Sequence, residues 1–214
     1  RDMEHQALRG RKRRETHGVR PVAKKIDTTA AEYDTPSNYL YLTYWGDHSE
    51  ALRANARGAL VLGSGTYRIG TSVEFDWCAV SASHALQKHG WRSVILNCNP
   101  ETVSTDYNRS DRLYFEEMSL ERIRDIAEIE GITGVIASMG GQLPNRLAAG
   151  LERAGLKLLG HGADAVDRAE NRGRFSQILD SVGIGQPQWT EARTRDEVSA
   201  FVGRAGFPVL VRPS

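Results

Sequence analysis

The chain has 214 residues, 40% of them hydrophobic, with 28 Lys or Arg against 27 Asp or Glu and a formal net charge of +1. That is enough for one sizeable core, or for one domain with pieces of its neighbours, and the longest apolar runs fall far short of the roughly 18 to 20 residues that cross a bilayer. The basic start lacks the apolar stretch of a secretory signal, and Cys78 and Cys98 make neither a CxxC nor a metal spacing, so free thiols in a reducing, cytoplasmic setting are expected.

The charge is unevenly spread: residues 1 to 25 hold nine Lys or Arg against three acids, a surplus of +6 that leaves −5 for the remainder. The block Arg9 to Arg14, RGRKRR, could touch nucleic acid or an acidic partner. Without interleaved aromatics it reads as a solvated helix face or a mobile end, and no nucleic-acid partner is expected. Residues 1 to about 17 read as a polar helix, Pro21 and Val22 open an extended segment, and Asn38 to Trp45, NYLYLTYW, alternates like a half-buried strand. The polar, aperiodic GDHSEALRANARG then reads as a linker.

A new domain is expected from Gly58, where short β-branched runs begin to alternate with helical stretches. Strands are predicted at 59–63, 93–97, 112–115, 132–138 and 157–159, with helices at 73–89, 119–130 and 142–155, the rhythm of a parallel α/β sheet. Gly90, Gly131 and Gly155 stand where three helices should stop, since glycine takes the left-handed C′ conformation at least steric cost. Beyond them come helices at 163–169, 171–182 and 194–205 and a strand at 207–212, the opening of another unit. No repeat at periods of about 20 to 50 residues is visible. The chain begins at Arg1 and finishes just after the apolar run PVLV, so both ends look cut.

The densest local signal is Ala59 to Cys78, ALVLGSGTYRIGTSVEFDWC, a strand entering a turn on Gly63, Gly65 and Gly70 and leaving as a helix. Such a helix N-terminus offers unpaired amides to an anion or to a close backbone. It is not a P-loop, because no Lys followed by Ser or Thr comes after the last glycine. Nor is it the dinucleotide GxGxxG: the next strand ends in Asn97 and Asn99, and Glu101 and Asp106 fall beyond Pro100 in a loop.

Two further loops belong with it. The long NCNPETVSTDYNRSDRLYFE is stiffened by Pro100, and its Asn99, Thr102, Ser104, Thr105 and Asp106 either bond neighbouring backbone in Asx and Ser/Thr turns or line a ligand. Ser138 to Asn145, SMGGQLPN, puts Gly140, Gly141 and Gln142 at a strand end; they serve either a crevice at the carboxyl edge or only a tight turn with close packing. With parallel strands both glycine loops open on one edge and could frame one cleft.

Arg172 and Arg174 in AENRGRF and Arg212 in VRPS are suited to bidentate phosphate contact, and equally to surface salt bridges with Glu170 or Asp180. Six scattered histidines form no HExxH, and no GxSxG occurs, so neither a zinc hydrolase nor an acyl-transfer triad has support. No metal ligands and no catalytic residues are assigned.

Read in order, VLGSGTYRIGTSVEFDWCAV, NCNPETVSTDYNRSDRLYFE, GVIASMGGQLPN, GHGADAVDRAENRGRF, GIGQPQW and GFPVLVRPS resemble the carbamoyl phosphate synthetase large chain. The preceding VRPVAKKIDTTAAEYDTPSNYLYLTYWG is similar to the junction leaving that family's helical oligomerisation region. The junction and NPETVSTDY are similar to the second, carbamate-phosphorylating half, while TYWG and FDWC look more like the fused, glutamine-using pyrimidine-pathway enzymes of eukaryotes.

The resemblance implies residues 1–57 as the end of a helical oligomerisation region with a linker, and 58–170 as a pre-ATP-grasp domain, a Rossmann-like parallel sheet with helices on both faces. Residues 171–214 would be the truncated start of an ATP-grasp domain. It implies an ATP-dependent ligase making carbamoyl phosphate from bicarbonate, glutamine-derived ammonia and two ATP, for pyrimidine or arginine biosynthesis. Arg172 and Arg212 fall on the family's ATP-contacting arginines, and the Mg ligands would lie further along the chain. Gly63, Gly65, Arg68, Gly70 and Gln142 would shape one wall of the active cleft and of the passage by which carbamate arrives. Implied partners are the rest of the synthetase chain and a glutamine amidotransferase domain or subunit in an oligomeric whole, with this stretch inactive alone. The other reading is a non-catalytic Rossmann-like module holding an anionic metabolite or a partner protein.

Overall fold

A computed structural model of the chain describes residues 2–33, 37–51, 57–67 and 73–212. It divides into two compact units, Arg1–Ala163 and Asp164–Ser214.

The first unit is built on six strands: β1 (Val22–Lys25), β2 (Tyr39–Thr43), β3 (Gly58–Leu62), β4 (Arg92–Leu96), β5 (Arg112–Tyr114) and β6 (Gly134–Ile136). They form one sheet in the order β1-β2-β5-β4-β3-β6. Every residue of β3 and β4 is buried, as the apolar runs ALVL and VIL require of strands covered on both faces. Those two pair in parallel from Gly58 opposite Arg92 to Leu62 opposite Leu96, and β6 joins the other side of β3, also in parallel. On the far side β5 pairs with β4 and β2 with β5, both in parallel, and β1 closes the edge antiparallel to β2.

Alternation along the strands sends side chains to two cores. Leu60, Leu62, Val94, Leu96 and Tyr114 face Ile123, Ile126 and Leu151, whereas Val61, Ile95 and Leu113 face Ala79. The first core is therefore covered by α3 (Leu120–Glu130) and α4 (Gln142–Arg153), and the second by α2 (Val73–Lys88). Helices on both faces are thus present, and each such buried aliphatic side chain contributes about 1.5 to 3 kcal/mol. The expected stops hold: Gly90, Gly131 and Gly155 have φ of 73°, 62° and 81°. Ser119 caps α3 by accepting the Arg122 N–H.

The N-terminal basic helix α1 (Asp2–Thr16) is not simply solvated. Leu8 packs against the main core and Arg11 is buried, because positions 8, 11 and 14–15 share one helical face that lies on α3. Residues 1–57 thus contribute α1, β1 and β2 to the first unit, and the sheet continues across residue 57.

The second unit holds all but the first residue of α5 (Ala163–Glu170), with α6 (Arg172–Ser181) and α7 (Arg195–Ala205). Asn171 caps α6 by accepting the Arg174 N–H, and Thr194 with Glu197 forms a reciprocal capping box on α7. The strand expected over 207–212 does not form: Phe207, Leu210 and Val211 are 82%, 80% and 72% exposed and lie outside every strand. A strand must pair its amides and carbonyls with a neighbour, and an apolar composition does not supply one. Likewise the run 157–159 reduces to a bridge from Leu158 to Val135, and 132–138 shortens to β6.

Candidate functional site

Since β3, β4 and β6 are parallel neighbours, the loops leaving them emerge on one edge of the sheet, as the cleft expectation required. At the centre of that edge is Asn97, fully buried at the end of β4. Its Oδ1 accepts the Gly65 N–H at 3.1 Å and the Asn99 N–H at 3.4 Å, while its Nδ2 donates to the Thr102 and Ser104 hydroxyls, each at 3.0 Å. One amide therefore ties the β3 loop to the β4 loop.

The glycines are where the loops come closest to their neighbours. A Cβ on Gly63 would stand 2.7 Å from the Asn97 side chain, and one on Gly140 would stand 2.2 Å from the Gly63 carbonyl oxygen. Gly141, at φ 78°, would drive a Cβ into the Phe75 ring. Of the two readings of these glycines, close packing is the one these distances show.

The β4 loop is held from within. The Thr102 hydroxyl donates to the Asn99 carbonyl at 2.8 Å, and a short 3-10 turn at Val103–Thr105 follows. Asp76, in the first turn of α2 and only 1% exposed, accepts the Val103 N–H at 2.8 Å and the Ser104 N–H at 3.2 Å. Of the two roles open to Asn99, Thr102, Ser104 and Thr105, the turn-bonding one is what the geometry shows. Asp76 escaped sequence reasoning; the signal was an acid in the first helical turn, flanked by Phe75 and Trp77 and placed to bond a facing loop.

What this edge leaves available is the start of α4. Gly141 is its N-cap and provides no side-chain cap, and Gln142, exposed, is its first residue. The Ser64 and Ser138 hydroxyl oxygens nearby are buried without a partner. Helix amides and an exposed carboxamide can receive an anion or a carbonyl oxygen. Arg68 and Gly70 lie outside the described residues.

The expected nucleotide arginines both belong to the second unit. Arg172 is the first residue of α6 and is exposed; Arg212 is exposed beyond α7. Arg174 instead donates to Asp164 at 2.8 Å and to Asp167, so it is engaged with α5 carboxylates other than those the sequence suggested. Among the described residues no group of three or more His, Cys, Asp or Glu could hold a metal ion. Nor is any helix among them long and apolar enough to cross a membrane.

The fold has a counterpart in a solved structure. The biotin carboxylase domain dimer of the Hydrogenobacter thermophilus 2-oxoglutarate carboxylase, solved with MgADP, ADP and bicarbonate, superposes with a TM-score of 0.51 at 17% identity, covering 72% of this chain and 34% of that one. That is a likeness of fold. Sequence goes further: residues 55–168 match the family model of the carbamoyl phosphate synthase preATP-grasp domain, and the chain belongs to that family. It is 52% identical over 204 residues to the multifunctional protein URA2 of Saccharomyces cerevisiae, covering 95% of this chain and 9% of that protein. It is 50% identical over 201 residues to the arginine-specific carbamoyl phosphate synthase large chain of Cutaneotrichosporon cutaneum, covering 94% and 17%. A mitochondrial arginine-specific large chain of Schizosaccharomyces pombe is also 50% identical, over 204 residues and 18% of its length. The chain thus spans 9% to 18% of the length of these curated relatives.

Proposed function

We propose that this chain is part of an ATP-dependent carbamoyl phosphate synthase, in the half that phosphorylates carbamate, and that it works only within the complete synthetase. The observation that carries this reading is identity of about half the residues to synthase large chains across nearly the whole chain, in both units. In this proposal residues 58–170 form the pre-ATP-grasp domain and 171–214 the beginning of the ATP-grasp domain, with 1–57 leading in from an oligomerisation region. Its partners are the remainder of the synthetase and a glutamine amidotransferase, and its compartment is the cytoplasm.

Within that enzyme the strand-edge loops form a wall of the reaction cleft. Gly140 holds its backbone against that of Leu62 and Gly63 there, while Gly63 and Gly65 make room for the Asn97 and Leu143 side chains, and a wall packed this closely can exclude water and hold an oxyanion in one orientation. Arg172 and Arg212 are exposed guanidinium groups and fit the phosphates of ATP, to which they would supply charge-assisted hydrogen bonds. The residues present do not fit its Mg²⁺, for which the described part of the chain has no cluster of ligands. ATP itself supplies the transferable phosphoryl group.

The test replaces the matching stretch of the Cutaneotrichosporon cutaneum large chain with this one and measures carbamoyl phosphate made from bicarbonate, ammonia and MgATP. The chimera should be active and the isolated chain inert. A folded but inactive chimera, or turnover by the chain alone, would sink the proposal.

A further inference from the structure

The outer side of α1 takes no part in the strand-edge site. Arg9, Lys12, Arg13 and Thr16 stand three or four residues apart, so they share one helical face, and all four are exposed. Leu8 and Arg11 lie on the inward side. The ion pairs of α1 are made by Arg11, with Glu15, Asp125 and Glu128, and by Arg14, with Glu121. Among the described residues Arg9, Lys12 and Arg13 therefore present unpaired cationic charge, in a stripe that ends on a hydroxyl.

That hydroxyl sits where the helix lets go. Thr16 is the last residue of α1, and its Oγ1 donates to the Arg13 carbonyl at 2.7 Å. Just beyond, Gly18 takes a φ of 70° and the Val19 N–H closes back on the Arg14 carbonyl at 2.9 Å. Thr16, His17 and Gly18 are all exposed, so this turn can open without uncovering the core that Leu8 and Arg11 hold. The sequence around it is also singular. Of all the Ser and Thr residues in the chain, Thr16 alone has arginine both two and three residues before it, at Arg14 and Arg13. Guanidinium groups at fixed offsets from a hydroxyl are what an acid-lined kinase cleft reads, through forked hydrogen bonds to its carboxylates.

We propose that Thr16 is a phosphorylation site for an arginine-directed serine/threonine kinase. Thr16 Oγ attacks the γ-phosphorus of the kinase's ATP, the bond to ADP breaks, and the hydroxyl proton passes to the kinase's base. The product carries a charge of about −1.5 to −2 at neutral pH. Lys12 and Arg13, four and three residues before it on the same face, are placed to pair with that charge. Modification then cancels most of the cationic stripe while leaving the inward ion pairs of α1 in place. The site does not depend on the synthase reading.

The test treats the native 214-residue chain with MgATP and the catalytic subunit of cyclic-AMP-dependent protein kinase, and locates phosphate by mass spectrometry of the tryptic peptide Glu15 to Arg20. Phosphate should appear on Thr16, and Thr16→Ala should abolish that labelling. Arg13→Ala, which removes a side chain without an ion-pair partner, should slow labelling at least about tenfold, as loss of a charge-assisted hydrogen bond predicts, with the unfolding midpoint unchanged. In the phosphorylated chain Lys12→Ala should raise the phosphate's titration midpoint, followed by phosphorus NMR, by about 0.2 unit, and the difference should vanish in denaturing urea. No phosphate on Thr16, phosphate mainly on another residue, undiminished labelling of Arg13→Ala, or one titration midpoint with and without Lys12 would each overturn the proposal.

Discussion

Arg11 of α1 and Asp125 of α3 meet with Nε 2.7 Å from Oδ1, their side chains only 6% and 3% exposed, 114 residues apart in sequence. Burial holds the Asp125 carboxyl above its usual range even though the Arg11 hydrogen bond pulls it down. Burial alone would lower Arg11, yet Asp125 and Glu128 keep it raised. A buried pair is weak evidence for stability, but breaking one side of it is costly. Arg11→Met should therefore destabilise the first unit by about 3 to 5 kcal/mol in urea unfolding, and adding Asp125→Leu should recover most of that loss. A single variant within experimental error of wild type would show that the pair does not fasten α1.

Tyr114 gives a pH signature. Its hydroxyl donates to Glu130 Oε1 at 2.6 Å, in a cluster where Glu130 also receives Arg92 and Arg112. Burial, then the Glu130 charge and hydrogen bond, push the phenol far above its ordinary value. A group whose folded pKa is raised contributes stability in full below its unfolded pKa, here about 10, and loses it as pH climbs beyond. Wild type should lose on the order of 1.4 kcal/mol per pH unit above pH 10 relative to Tyr114→Phe. At pH 7 that variant should be less stable by about 1.5 to 3 kcal/mol, the worth of a hydrogen bond to a charged group. Parallel pH profiles would refute this.

Asn97→Ala leaves the Gly65 amide and the Thr102 and Ser104 hydroxyls without their common partner. The expected cost is about 1 to 3 kcal/mol in chemical denaturation. Faster hydrogen exchange confined to Gly65, Asn99 and Ser104 would show that the two loops separate as a pair; no local change would show they are held otherwise.

Gly140→Ala tests the contact of the third loop with the first. The new methyl would stand 2.2 Å from the Gly63 oxygen and 2.6 Å from that of Leu62, so backbone must move. The melting temperature should fall by an amount matching about 1 to 3 kcal/mol, the usual cost of overpacking. An unchanged melting curve would mean the loops have slack.

In the active chimera, Arg172→Ala and Arg212→Ala should each lower kcat/KM for ATP about tenfold to a hundredfold, as loss of a charge-assisted hydrogen bond of about 1.5 to 3 kcal/mol predicts. Arg168→Ala, which breaks only a surface pair with Asp164, should stay within about twofold. Equal effects at all three would deny the assigned arginines a phosphate role.

Much of the sheet was legible because its signals are local. The runs ALVL and VIL, three glycine stops and the alternation of Asn38 to Trp45 each report on a few consecutive residues. Pairing is not local: nothing in YLYLT announces that it lies parallel to Arg112–Tyr114 some 70 residues on. The same limit explains 207–212, whose composition suits a strand but whose partner is a separate question. In RGRKRR five of six side chains carry the same charge, so the run itself does not mark Arg11 as the position that turns inward on the helix. At the site, the glycines and polar loop residues were visible from type and spacing, while the central place of Asn97 required knowing that two loops meet.

The family match begins at residue 55, yet β5 depends on chain before it: the Leu113 N–H donates to the Asn38 carbonyl at 3.0 Å and the Phe115 N–H to that of Leu40 at 2.9 Å. A piece trimmed to the match would bare that seam as an open, apolar strand border, the kind that recruits further copies into aggregates. The N-terminal hairpin covers that seam, and its own outer strand is answered in turn by Glu50, whose carboxylate accepts the Lys25 N–H at 2.7 Å and whose N–H donates to the Ala23 carbonyl at 2.8 Å, so the whole cover lies before residue 55.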